Sequence, residues 1–282
     1  MGKRTLQWLT LFAVLTLAAA CGGGGGSADN LLGQIEEEGV LTVSTDPAYP
    51  PQSSLNESTG EYEGFDIDVA TEIANRLGVE VAWEAPAWET IIAGSWNGRW
   101  DLSVGSMTVT PEREEVLDFS TPYYYTPAVV AVLADDSSIN DLTTDLDGKS
   151  IAVCGACTYD FYLQGNLDIP GESYEFVVDD PEIVTTDTDS TAIEQLVQGR
   201  VDAAISSLTT MQAAIDSGLP IKIVGDPLFY EPLAAASDKS SSMSTDSFVS
   251  RVSEIIDEMH ADGTLSNLSN EWFGLDLTKK AS

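Results

Sequence analysis

Apolar residues recur along the chain in two alternating rhythms, one of strands and one of helices. Residues 40–45 read as a buried strand closed by Asp46-Pro47. Across 65–77, Ile67, Ala70, Ile73, Ala74 and Leu77 recur at helical spacing, and Gly78 follows as a stop. The pattern then predicts a strand over 79–83, a helix over 87–96 and a strand over 102–106. Further strands are expected at 150–153, 174–178 and 201–206. A helix is expected over 190–198, with Thr191 and Glu194 at capping-box spacing, and a last helix over 247–261 before Gly263. This alternation predicts an α/β class with mostly parallel sheets.

One internal echo organises these elements. Gly98-Arg99-Trp100-Asp101 leads through four residues to Ser106-Met107-Thr108, and Gly199-Arg200-Val201-Asp202 leads through four to Ser207-Leu208-Thr209. Each unit reads as a helix end, a strand and a polar Ser-x-Thr at the strand's carboxyl end, where open α/β sheets bind ligands. Two such units imply two similar lobes whose polar strand ends face one cleft.

The N-terminus carries a different pattern. Lys3 and Arg4 precede an apolar stretch over 6–20, shorter than the ~18 residues of a membrane-spanning helix. Small residues then lead into Cys21, as in a bacterial lipobox, although Ala18 stands where leucine is usual. Residues 22–26 are all glycine, a flexible tether. The reading is a signal peptide over 1–20 and a lipidated tether over 21–30, acylated at Cys21. The alternative is an ordinary cleaved signal with an incidental cysteine.

Charge narrows the function. Twelve basic residues stand against 46 acidic ones, a net charge of −34 that loses two further cations if Lys3 and Arg4 are removed. Such a surface repels phosphate, which excludes nucleic-acid binding and adhesion to anionic lipid through basic residues. A hydrophobic content of 43% with six tryptophans is enough to build cores, so disorder is a poor reading. With one histidine, His260, and no cofactor motif, no cofactor or metal is expected. The spacing of Asp187 and Asp189 hints at calcium but lacks the glycine and closing glutamate of a calcium loop, so helix capping is preferred.

The region 31–274 resembles the extracytoplasmic solute-binding proteins of polar amino-acid ABC importers, the family of the glutamine-, histidine- and lysine/arginine/ornithine-binding proteins. Five segments carry the resemblance in order: Thr45-Asp46-Pro47-Ala48-Tyr49-Pro50-Pro51, Gly64-Phe65-Asp66-Ile67-Asp68, the stretch 101–113, Asp118-Phe119-Ser120-Thr121-Pro122-Tyr123, and Trp272-Phe273-Gly274. It implies a two-lobed periplasmic-binding-protein-like fold with two hinge strands and a ligand cleft between the lobes. Lobe 1 would take 31–126 plus 232–282, and lobe 2 127–231. The expected function is to capture a small amino acid or related carboxylate by hinge closure and deliver it to permease subunits, as a monomer anchored to the membrane only by lipid.

By this resemblance, Arg113 clamps the ligand carboxylate, helped by Gly105, Ser106 and Thr108, since a guanidinium fork matches a carboxylate. Tyr49 and Trp88 would sandwich the ligand side chain. Asp46 would meet a basic ligand side chain, or else cap the turn before Pro47. In lobe 2, Thr158 keeps a donor for the carboxylate, beside Tyr159. Ser207 occupies a ligand-site position where many relatives have the aspartate that pairs the ligand ammonium, so Asp46, Asp160 or Glu231 would have to serve, or the ligand lacks a free α-amine. Cys154 and Cys157 form a C-G-A-C pair in an exported chain. A disulfide is the leading reading, with free thiols or a metal as alternatives. A binding protein rather than an enzyme is expected, the alternative being a cyclohexadienyl-dehydratase-like enzyme on the same fold.

Overall fold

The computed structural model describes residues 30–280. The signal peptide, Cys21 and most of the glycine tether lie outside them. The first lobe begins with α1 (Leu31–Glu38) and β1 (Val40–Ser44), followed by the small strands β2 (Ala48–Tyr49), β3 (Ser53–Asn56) and β4 (Glu61–Glu63). Then come α2 (Phe65–Leu77), β5 (Glu80–Glu84), α3 (Trp88–Ile92), β6 (Leu102–Thr108) and α4 (Pro111–Glu114). The long strand β7 (Leu117–Leu133) crosses to the second lobe. That lobe holds β8 (Ser150–Cys154), α5 (Thr158–Leu163), β9 (Glu182–Thr186), α6 (Asp189–Val197), β10 (Ala203–Ser207) and α7 (Leu208–Asp216). The second long strand, β11 (Ile221–Asp238), returns the chain to the first lobe, which α8 (Asp246–Asp262) and α9 (Thr264–Phe273) complete.

All the strands except β2, β3 and β4 form one curled sheet, in the order β5-β1-β6-β11-β7-β10-β8-β9. Strands β1, β5 and β6 are parallel at one end, and β8, β9 and β10 at the other. The antiparallel pair β7 and β11 joins them, 17 and 18 residues long, with Thr126 opposite Glu231 near the middle. The cores remain separate. Leu41, Phe65, Tyr123, Tyr124, Leu233 and Phe248 belong to one, and Ala128, Ile151, Tyr162, Ile205 and Phe229 to another. Each leucine, isoleucine or phenylalanine among them contributes about 1.5–3 kcal/mol over leaving it exposed, so each lobe carries its own driving force.

The echo has a shared structural cause. The Asp101 carboxylate accepts from the Thr42 N–H at 2.9 Å, and the Asp202 carboxylate from the Ser150 N–H at 2.9 Å. In each lobe the aspartate after a positive-φ glycine, Gly98 or Gly199, pins a neighbouring parallel strand.

Helix α2 spans the predicted 65–77, with Gly78 left-handed at its end. Elsewhere local pattern and structure part. Helix α3 stops at Ile92, short of the expected 96, because the Asp238 carboxylate from β11 accepts the N–H groups of Ser95 and Trp96 and turns the chain out of helix. Helix α6 is capped by Thr188, whose hydroxyl accepts from the Thr191 N–H, so Thr191 lies inside the helix. Segment 174–178 is not a strand. Its backbone is held by the Tyr162 hydroxyl, which donates to the Glu175 carbonyl and accepts from the Val177 N–H, and the strand beside β8 is β9. Helices α1, α5, α7 and α9 were not anticipated, and α9 rather than α8 is the last. Among the described residues no helix is long and apolar enough to cross a membrane.

Candidate functional site

The carboxyl ends of β1 and β6 in one lobe face those of β8 and β10 in the other, as the echo implied. Between them lies a cavity of about 50 Å³ lined by Asp46, Tyr49, Trp88, Gly105, Ser106, Thr108, Arg113, Cys154, Cys157, Thr158 and Tyr159. It is also lined by Ile91, Asp187, Thr188, Asp189 and Glu231.

Arg113 is set by a short local device. Strand β6 ends at Thr108. The Thr110 hydroxyl caps α4, accepting from the Arg113 N–H, and Pro111 starts the turn. The guanidinium therefore folds back over the strand end. Its Nη1 donates to the Thr108 carbonyl at 2.9 Å, and its Nη2 reaches across the cleft to the Ala156 carbonyl at 3.1 Å. The Trp88 ring lies beneath, 5.0 Å from Cζ. Arg113 is 4% exposed, yet its Nε has no partner. Burial lowers its pKa to about 10, against the pull of Glu231 and Glu112. A buried cation in a cavity wall, with its Nε unpartnered, is suited to a carboxylate.

Ser106 sits at φ 53°, an unusual conformation for a residue with a Cβ. A buried network holds it there: its N–H donates to the Tyr123 hydroxyl and its Oγ to Asp66 at 2.7 Å, and Tyr123 donates to the other Asp66 oxygen at 2.8 Å. Burial raises the Asp66 carboxyl to about 7. The expected hydroxyl donors thus have partners within the protein. The Ser106 hydroxyl turns to Asp66, and those of Thr108, Thr158 and Tyr159 all converge on Glu231 of the hinge. Desolvation still leaves the Glu231 carboxyl raised from its ordinary value.

In the second lobe, Cys154 and Cys157 are paired as a disulfide with Cα atoms 5.5 Å apart. Between them Ala156 adopts φ 55°, its N–H capped by Asp160 at 3.0 Å. Its carbonyl accepts from Arg113 and from Trp88 Nε1. Asp160 is therefore turned away from the cavity, bonded to Ala156 and Gln164. Ser207 is likewise withdrawn from the cavity wall. Gln52 of the first lobe covers it, donating from Nε2 to Ser207 at 3.1 Å and to Thr209 at 2.8 Å. Gly64 makes that reach possible. A Cβ there would lie 2.3 Å from the Gln52 carbonyl, and φ is +137°. The lobes also meet through Ser190, whose hydroxyl donates to the Ala48 carbonyl at 2.7 Å.

Asp189, read from sequence as a helix-start residue, opens α6 and is 7% exposed in the cavity wall. Desolvation and the nearby charges of Asp46 and Glu231 raise it to about 7. Asp46 is raised by burial, offset in part by the Ala48 N–H. The D-T-D-S run carried the signal, but its caps masked it. Only the fold shows that α6 begins at the cleft.

Two lobes on a paired hinge, closed over a buried arginine, define a two-lobed solute-binding protein. The chain belongs to the bacterial extracellular solute-binding proteins, family 3, whose family model matches residues 41–275. It is 29% identical over 276 residues to the probable amino-acid-binding protein YxeM of Bacillus subtilis, covering 96% of this chain and 95% of that one. It is 30% identical over 286 residues to the L-cystine-binding protein TcyA of the same organism, covering 96% and 98%. Among solved structures it is similar to the ancestral amino acid-binding protein AncCDT-1, a precursor of cyclohexadienyl dehydratase, with a TM-score of 0.74, 29% identity and coverage of 86% and 99%.

Proposed function

We propose that this chain captures a free α-amino acid between its lobes and presents it, in the closed state, to the membrane subunits of an ABC importer. Lobe 1 comprises about 31–126 and 232–282, and lobe 2 about 127–231. The change of core between Tyr124 and Ala128, and again between Phe229 and Leu233, supports that division. The protein acts as a monomer, exported by its signal peptide and held outside the cell through lipid on Cys21. The observation that carries the reading is the partly satisfied Arg113 fork inside a cavity walled by both lobes. Ligand carboxylate meets Arg113 at the end of β6, and Tyr49 and Trp88 enclose the side chain. Binding drives closure because only the closed state offers contacts from both lobes.

A thermal-shift screen of the standard amino acids and cystine tests this. A ligand at 100 times its Kd adds about 2.7 kcal/mol, a rise of roughly 5–11 °C for a protein of this size. No shift with any amino acid at millimolar concentration would defeat it. A binding role rather than catalysis is supported by the family match and by relatives that bind amino acids. Product from prephenate or arogenate would overturn that part. Incorporation of labelled fatty acid into the wild type, but not into Cys21→Ala, tests the anchor.

A further inference from the structure

The Cys154–Cys157 bridge joins residues only three apart in sequence, so it constrains the unfolded chain less than a longer loop would. Both cysteines nevertheless line the cavity between the lobes. Cys154 is buried at the end of β8, whereas Cys157 is half-buried. A C-x-x-C pair in the wall of a cleft has the spacing and the access that thiol–disulfide exchange requires.

Two charged groups equip this pair. Arg113, the one cation among the lining residues, donates to the Ala156 carbonyl at 3.1 Å. It thus sets positive charge against the loop that carries both sulfurs, where an incoming thiolate is anionic. The second group is Asp189. One of its carboxylate oxygens and the two sulfurs all lie within 4.8 Å of one another. Asp189 is buried, and Ser206 of β10 donates to its Oδ1. It is faced by Asp46 and Tyr49 of the first lobe, by Tyr159 of α5 and by Glu231 of β11, and Asp187 stands two residues before it. Burial, with the charges of Asp46 and Glu231, raises its carboxyl to about 7, so near neutral pH it is divided between acid and carboxylate.

We propose that Cys154–Cys157 is an exchange-active disulfide for small aliphatic thiols that enter the cleft, with Asp189 as proton donor to the departing sulfur. The thiolate of R–SH attacks Sγ of Cys157, the more accessible member. The bond to Cys154 breaks as the bond from R–S to Cys157 forms. Cys154 leaves as a thiolate and takes the proton of Asp189, which regains one from solvent. A second thiolate attacks the R sulfur of the mixed disulfide. It releases R–S–S–R and Cys157, which takes its proton from water. Two small thiols are oxidised and one protein disulfide is reduced, and the two protons lost by the small thiols balance the two gained by the cysteines. This activity is separate from amino-acid capture, and its failure leaves that reading standing.

The full mature protein, treated with millimolar L-cysteine or 2-mercaptoethanol and quenched with N-ethylmaleimide, is read by intact mass and peptide mapping. The expected intermediate carries the small thiol on Cys157 and maleimide on Cys154, and the final product carries maleimide on both. The rate constant per thiolate should be level at low pH and fall as pH rises through about 7, where Asp189 loses its proton. Asp189→Asn should be about 100-fold slower than wild type at pH 6 and show no such fall. An Asp189 that merely repels thiolates would leave Asp189→Asn at least as fast as wild type at pH 6, and that result overturns the proton-donor role. Far-UV circular dichroism confirms the fold of the variant. Should it not fold, Ser206→Ala removes a donor that favours the carboxylate, and the fall should then come at higher pH. An unmoved profile in Ser206→Ala overturns the role in the same way. A bridge that stays closed in the native protein but opens in urea, or a mixed disulfide found on Cys154, overturns the exchange site.

Discussion

Replacing Arg113 by methionine separates its cost to the protein from its use to the ligand. Methionine keeps most of the volume and removes the charge. In the closed state the pKa falls from 12.5 to about 10, and at 1.36 kcal/mol per unit the buried cation costs about 3 kcal/mol. Against this stand two hydrogen bonds, to the Thr108 and Ala156 carbonyls, each worth about 1.5–3 kcal/mol when the donor is charged. The terms nearly offset, so the ligand-free melting temperature should move by only a few degrees. Binding has no such offset. Truncating one partner of a buried, hydrogen-bonded charge pair costs about 2–5 kcal/mol, which is roughly a 30- to 5,000-fold loss of affinity. Calorimetry with the best ligand from the amino-acid screen measures it. Arg113→Lys, a point charge without the fork, should fall between. Affinity within threefold of wild type in a folded Arg113→Met would refute the carboxylate clamp.

The acids buried in the two lobes set a pH dependence. Asp66 and Asp189 have folded values of about 7, above the ordinary 3.8. The native state therefore binds more protons than the unfolded chain between about pH 4 and 7, and stability falls as pH rises through that window. Self-repulsion of the acidic surface acts in the same sense but is screened by salt. The ligand-free melting temperature in 1 M NaCl should still drop from pH 5 to pH 8, and a flat or rising curve counts against the buried-acid account. Opening the Cys154–Cys157 bridge with a reductant should release Ala156 from its left-handed conformation and weaken ligand binding about tenfold, since ordering one residue costs about 1–2 kcal/mol. Calorimetry with and without reductant reads this, and equal affinities would contradict it. Asp101→Ala strands the part-buried Thr42 N–H and should lose about 1–3 kcal/mol in urea unfolding, whereas Asp202→Ala leaves the exposed Ser150 N–H to water and should lose only about 0.5–1 kcal/mol. Equal losses in the two variants would contradict this difference in exposure.

The sequence by itself determined what depends on neighbours along the chain. Helix α2 was legible because its apolar stripe and terminal Gly78 are local signals, as was β1 before Asp46-Pro47. The repeated Gly-Arg-x-Asp and Ser-x-Thr pattern implied two lobes with polar strand ends, and the family resemblance led to Tyr49, Trp88 and Arg113, all of which the fold brings to one cavity. What only the tertiary structure decided depends on distant partners. Asp238 ended α3 from across the sheet, and Tyr162 held 174–178 where a ladder was expected. Ser207, a strand-end residue like Ser106, was taken out of the cavity by Gln52 from 155 residues away. Asp189 looks in sequence like any acid at a helix start, and became a cavity residue because α6 begins where the second lobe meets the first. Local propensity chooses elements, but whether a polar side chain faces ligand or partner is set by long-range packing that a single sequence does not record.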